Sequence, residues 1–105
     1  MIVIFEKDYL QELYTIGQAH DKKHRFQPQI VKKYIRVIDL MKEQATVLGL
    51  AKFGGLHYER LNVDKEGLSS VRINDQYRIE FHEILRENEI IAELVGITEL
   101  SNHYK

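Results

Sequence analysis

The sequence contains no cysteine. That excludes disulfides, thiol nucleophiles and thiolate metal sites, and it is compatible with a reducing compartment such as the cytoplasm. No run of about twenty apolar residues occurs, so no membrane-spanning helix is expected. The amino-terminal MIVIFEKD has no basic region before its short apolar stretch and does not read as a secretory signal. A Gly-rich phosphate loop, HExxH and GxSxG are all missing, as are repeats, low-complexity tracts and linkers. What remains is a 105-residue chain, 44% hydrophobic, which predicts a single globular domain over residues 1–105.

The net charge is -1, which argues against a simple nucleic-acid binder, but the charge is unevenly placed. Between His20 and Lys42 lie seven cations (Lys22, Lys23, Arg25, Lys32, Lys33, Arg36, Lys42) against Asp21 and Asp39. Between Ile79 and Glu99 lie six glutamates against Arg86. A molecule polarised in this way can present a basic face despite a near-neutral sum.

Taken in order, Ile2 to Phe5 reads as a short strand, apolar throughout and so expected to be buried on both sides. Asp8, with Gln11 three residues on, predicts a capped helix start; Leu10, Leu13 and Tyr14 form its stripe and Gly17 its stop. The polar connector Gln18–Gln27 holds His20 and His24 at a spacing that could seat a metal on a helix, but no third ligand is placed to complete a site, so no metal is expected. Pro28 suits the first position of a second helix. On that helix Ile30, Val31, Tyr34, Ile35, Val37, Ile38 and Met41 share one arc, with Lys32, Lys33 and Arg36 opposite. Those three cations are either a solvated face or a track along a nucleic-acid backbone. Another helical turn fits Ala45–Phe53, ended by Gly54-Gly55. Leu56–Leu61 is a candidate strand, Asn62–Gly67 a polar loop, Arg86–Glu89 a turn, and Ile90–Thr98 a last apolar strand suited to a central position.

The most informative stretch is SSVRINDQYRIEF, Ser69–Phe81, which alternates as a β-hairpin does. Directly paired residues point to the same face. A two-residue loop would therefore pair Arg72 with Tyr77. A three-residue loop pairs Ile73 with Tyr77 and Val71 with Ile79, and puts all the apolar residues on one face. It also sets Arg72 directly opposite Arg78. Like charges so placed cost a few tenths to ~1 kcal/mol, yet two adjacent guanidiniums suit an anionic ligand such as phosphate. The alternative is a pair of solvated strand cations beside Glu80.

The other groups able to move protons or steady an anion are His57, Arg60 and the terminal His103, Tyr104 and Lys105. Together with the arginines they could cleave RNA without metal. A base would take the 2′-OH proton while cations hold the phosphate. Each also has a structural reading: His57 as a strand histidine, Tyr104 as a docking aromatic, Lys105 as a frayed end.

LHYERL followed by SSVRINDQYRIEF, a final strand and a terminal His-Tyr resembles the HigB-type branch of the RelE toxin superfamily, the plasmid maintenance killer proteins, over essentially the whole chain. The resemblance implies an α+β fold in which an amino-terminal strand and two helices pack on a twisted, mainly antiparallel sheet of four to five strands. It implies a cytoplasmic type II toxin that cuts mRNA in the ribosomal A site, needs no cofactor, and is neutralised by a HigA-like antitoxin carrying a helix-turn-helix domain. For this sequence it implies catalytic roles for His57, Arg72, Arg78, His103 and Tyr104 and an RNA contact at Arg60; Lys105 and the outlying basic track of Lys32, Lys33 and Arg36 are RNA-binding candidates from their charge and position alone. Which of His57, His103 and Tyr104 serves as acid or base stays open. So does a non-enzymatic form of the same fold, one that binds an antitoxin or RNA without cutting.

Overall fold

The protein is described here from a computed structural model covering residues 1–61 and 67–102. The chain runs β1 (Ile2–Phe5), α1 (Asp8–Thr15), α2 (Pro28–Glu43), two 3-10 turns (Val47–Lys52 and Gly54–Leu56), β2 (Glu59–Arg60), β3 (Leu68–Arg72), β4 (Tyr77–Ile84) and β5 (Leu94–Asn102). One sheet forms in the order β1-β5-β4-β3-β2. Its β1–β5 pair is parallel and the other three are antiparallel. The expected α+β architecture and the central place of the last strand are both as observed.

Strand parity divides the sheet into two faces. Val71, Ile73, Ile79, Phe81 and Ile97 point to the helices and join Leu10, Leu13, Tyr34, Ile38, Met41 and Leu50 in one buried cluster. Ser70, Arg72, Arg78, Glu80 and His82 point the other way; Ser70, Arg78 and Glu80 are buried there too. Helix α2 follows its sequence pattern: Ile30, Val31, Tyr34, Val37, Ile38 and Met41 are buried, and Lys32, Lys33 and Arg36 are exposed. Tyr34 is buried whole because its hydroxyl donates to the Leu10 carbonyl at 2.7 Å, which joins the two helices.

Several boundaries differ from the sequence expectation. Strand β1 is not buried on both sides. It is an edge strand with helices on one face only, and Ile2 and Ile4 are 51% and 44% exposed. Asp8 is not the cap of α1: Lys7 occupies that position without a side-chain cap bond, and Asp8 lies inside the first turn. There its carboxylate meets the positive end of the helix dipole. Gly17 does end the helix, in the left-handed region at φ +88°, with its N–H on the Glu12 carbonyl. Gly54-Gly55 does not break the preceding turn but builds the second one. Of the expected Leu56–Leu61 strand, Glu59–Arg60 forms β2, with the Leu61 N–H continuing onto the Leu68 carbonyl at 2.8 Å, while Gly54–Leu56 is a 3-10 turn. The last strand starts four residues later than expected and runs on to Asn102, so that Leu100 is also in the core.

Candidate active site

The hairpin has the register that parity predicts. Val71 pairs with Ile79 and Arg72 with Arg78, and the Ile73 N–H donates to the Tyr77 carbonyl at 2.9 Å. Asn74 makes the turn, because its Oδ1 accepts the N–H groups of Gln76 and Tyr77, both at 2.8 Å. Neither arginine is a freely solvated cation, with side chains 33% exposed for Arg72 and 9% for Arg78. Arg72 donates from Nε to the Asn74 carbonyl at 3.1 Å and pairs through Nη2 with Asp75. Arg78 pairs through Nη2 with Glu59 Oε1 at 2.8 Å. These carboxylates offset the like-charge contact. They also occupy guanidinium edges that phosphate oxygens would otherwise take.

His57 reaches this pair from the second 3-10 turn. Its Nε2 lies 3.4 Å from Arg72 Nη1. The residue is left-handed, φ +45° and ψ +51°, which is uncommon for a side chain larger than glycine. Between the turn and the hairpin lies an open groove of about 410 Å³, lined by Lys33, Gly55, His57, Arg72, Asn74 and Asp75 among others. An imidazole, a guanidinium and an ammonium thus face one space. Glu59 adds a half-exposed carboxylate on Arg78, a second group able to exchange a proton there. Sequence reasoning missed Glu59. Its pairing with Ser70 puts it on the Arg72–Arg78 face, but a two-residue strand carries no alternation that would reveal this.

The remaining predicted residues separate. Lys33 lines the groove, whereas Lys32 and Arg36 lie along another stretch of α2 with Ile35 and Leu40. None of these three cations makes an ion pair among the described residues. Arg60 is not brought to the groove. It pairs with Ser69 and so points to the helix side, where it meets Glu83 at 3.3 Å. Glu83 also accepts the hydroxyls of Tyr58 and Ser69. Burial, followed by that bond to Glu83, raises the Tyr58 phenol above its ordinary range. His103, Tyr104 and Lys105 lie outside the described residues. Ser101 and Asn102, just before them, pair with Arg78 and Tyr77. His20 and His24 are each held by a carboxylate, Glu12 at 2.8 Å and Asp21 at 2.9 Å, and His24 stacks on Tyr9.

The family model of HigB-like toxins, described as the RelE-like toxin of the type II toxin-antitoxin system HigB, matches residues 3–95. The chain belongs to the HigB-like toxin family. Two solved structures share the fold of this HigB-like toxin at 16% identity. The YoeB/ParE toxin from Agrobacterium tumefaciens aligns with a TM-score of 0.59 over 99% of this chain and 100% of its own. The YoeB-YefM complex from Staphylococcus aureus aligns at 0.56 over 99% and 98%. No curated protein matches the sequence. The matched segment contains His57, Glu59, Arg72, Arg78 and Lys33 but stops short of the carboxyl terminus. The HigB-like toxin is thus a type II toxin of the RelE-like family. None of its described helices is long and apolar enough to cross a membrane.

Proposed function

We propose that this toxin is a ribosome-dependent mRNA endoribonuclease of the cytoplasm. The observation that carries the reading is the cross-strand pair Arg72–Arg78, held beside His57 and Glu59 on the face of the sheet turned away from the helix core. A scissile phosphate would displace Asp75 and Glu59 from the guanidiniums. A base, chosen among His57, Glu59 and the terminal His103 or Tyr104, takes the 2′-OH proton. The 2′ oxygen attacks the adjacent phosphorus, the P–O5′ bond breaks, and an acid returns a proton to the leaving 5′ oxygen. The products are a 2′,3′-cyclic phosphate and a 5′-OH. No step calls for a metal or other cofactor. With so few groups converging, the ribosome supplies the orientation of the substrate. Lys32, Lys33 and Arg36, which make no ion pair among the described residues, suit contact with RNA backbone.

The neutralising partner in this reading is a HigA-like antitoxin with a helix-turn-helix domain; the Staphylococcus aureus neighbour is likewise a complex, of YoeB with YefM. A second reading, an inactive module that binds antitoxin or RNA, is favoured by one observation: both arginines already rest on carboxylates of their own chain. Induced expression in bacteria, followed by mapping of mRNA 5′ ends, separates the two. New 5′-OH ends within translated frames support the nuclease. Growth arrest without new ends supports the binding module.

A further inference from the structure

The candidate groove holds His57 in the left-handed region, uncommon for a non-glycine residue though less so for histidine than for most, and the neighbouring contacts fix it there. On one side of His57, Leu56 is buried in the core. On the other, Tyr58 turns inward, its ring stacked on Phe81 with centroids 6.4 Å apart. Its hydroxyl bonds the Glu83 carboxylate, which is almost fully enclosed on the helix side of the sheet. The same carboxylate takes the Ser69 hydroxyl at 2.5 Å and Arg60 at 3.3 Å, so it ties β4 to both β3 and β2. His57 and Glu59 flank Tyr58 in sequence, and both face the arginines. A two-residue strand is too short to fix them by backbone pairing alone.

We propose that Glu83, acting through the Tyr58 hydroxyl, is a positioning residue for the reaction: from the helix side of the sheet it holds His57 left-handed against Arg72 and Glu59 against Arg78. Glu83 touches no substrate in this account. The proposal rests on the nuclease reading for its catalytic consequence, but its geometric half stands without it.

The test uses the full chain. Tyr58→Phe removes the tether and keeps the ring on Phe81. Glu83→Gln keeps an acceptor for the hydroxyl and serves as the conservative variant. Tyr34→Phe breaks a buried hydroxyl bond between the two helices and serves as the control for general loosening. NMR follows the backbone shifts of His57 that report positive φ. Steady-state cutting of ribosome-bound mRNA gives kcat and KM. In Tyr58→Phe the His57 shifts should move toward ordinary values, and kcat should fall ~10-fold or more with KM nearly unchanged, since small displacements of a positioned group cost that much. Glu83→Leu should reproduce both changes, Glu83→Gln, which keeps one acceptor, should fall between it and wild type, and Tyr34→Phe should lose stability without changing kcat. His57 shifts unchanged in Tyr58→Phe would overturn the proposal, as would moved shifts with kcat intact, or an equal loss of kcat in Tyr34→Phe. If the wild type cuts no ribosome-bound mRNA, the nuclease reading fails, and the His57 shifts still decide whether the tether sets the residue.

Discussion

At the scale of single residues, His57 sets stability against function. A left-handed non-glycine residue stores about 1 kcal/mol or more, which glycine would release. His57→Gly should therefore raise thermal stability slightly while abolishing cleavage, whereas His57→Ala should abolish cleavage with no such gain. Paired melting and activity measurements check this; a less stable His57→Gly would show that the imidazole contributes more to the fold than its backbone costs. The connector histidine His20 is a different case. Its bond to Glu12 raises His20, and His20 in turn lowers Glu12. The His20 contribution is complete below the ordinary histidine value of about 6.5 and is lost as pH rises through the raised value. The Glu12 contribution is complete above the ordinary carboxylate range and is lost as pH falls through the lowered one. The tether is thus strongest in mildly acidic solution. NMR titration should find His20 above its ordinary value, and Glu12→Gln should return it there.

At the scale of elements, legibility followed local pattern. The hairpin register could be read because strand alternation has period two and only one loop length puts all its apolar residues together. Helix α2 could be read because its arc repeats over four turns. Strand β1 could not: an apolar run does not reveal whether a second neighbour exists, and Ile2 and Ile4 are exposed on an edge. The Glu59–Arg78 contact was hidden for a related reason, since it joins elements through tertiary pairing. Strand β5 carries the next prediction. It continues past Thr98, with Leu100 buried and its N–H on the Tyr9 hydroxyl at 3.1 Å. Removing residues 103–105 should leave the melting temperature nearly unchanged. Truncation after Thr98 should cost at least the ~2–5 kcal/mol of a buried leucine lost to a cavity. Denaturant melts of the two truncations distinguish these outcomes, and equal melts would place the end of the core before Leu100.

At the scale of the whole molecule, charge is segregated although the sum is -1. Lys22, Lys23 and Arg25 on the connector, with Lys32, Lys33 and Arg36 on α2, form no ion pairs among the described residues. Most of the cations on the sheet are paired. Ribosome binding should therefore weaken steeply with salt. Lys32→Ala or Arg36→Ala should each reduce the slope of log affinity against log salt by about one, if each neutralises one phosphate. Neither change should alter turnover at saturation, because these residues lie away from the groove. Binding isotherms at several salt concentrations measure the slope, and an unchanged slope would mark that helix face as solvated and without an RNA role.

The central claim is that the arginine pair and its neighbours cut mRNA on the ribosome. It is tested most directly by incubating purified toxin with programmed ribosomes, or with the same mRNA alone, in the presence of a chelator, and mapping the 5′ ends. The account predicts 5′-OH ends only when ribosomes are present, persisting with chelator. Folded Arg72→Ala and Arg78→Ala should each lose about 100-fold or more of that cleavage, the scale of removing one preorganised electrostatic contact. Equal cutting of free mRNA, or full activity in either arginine variant, would contradict it.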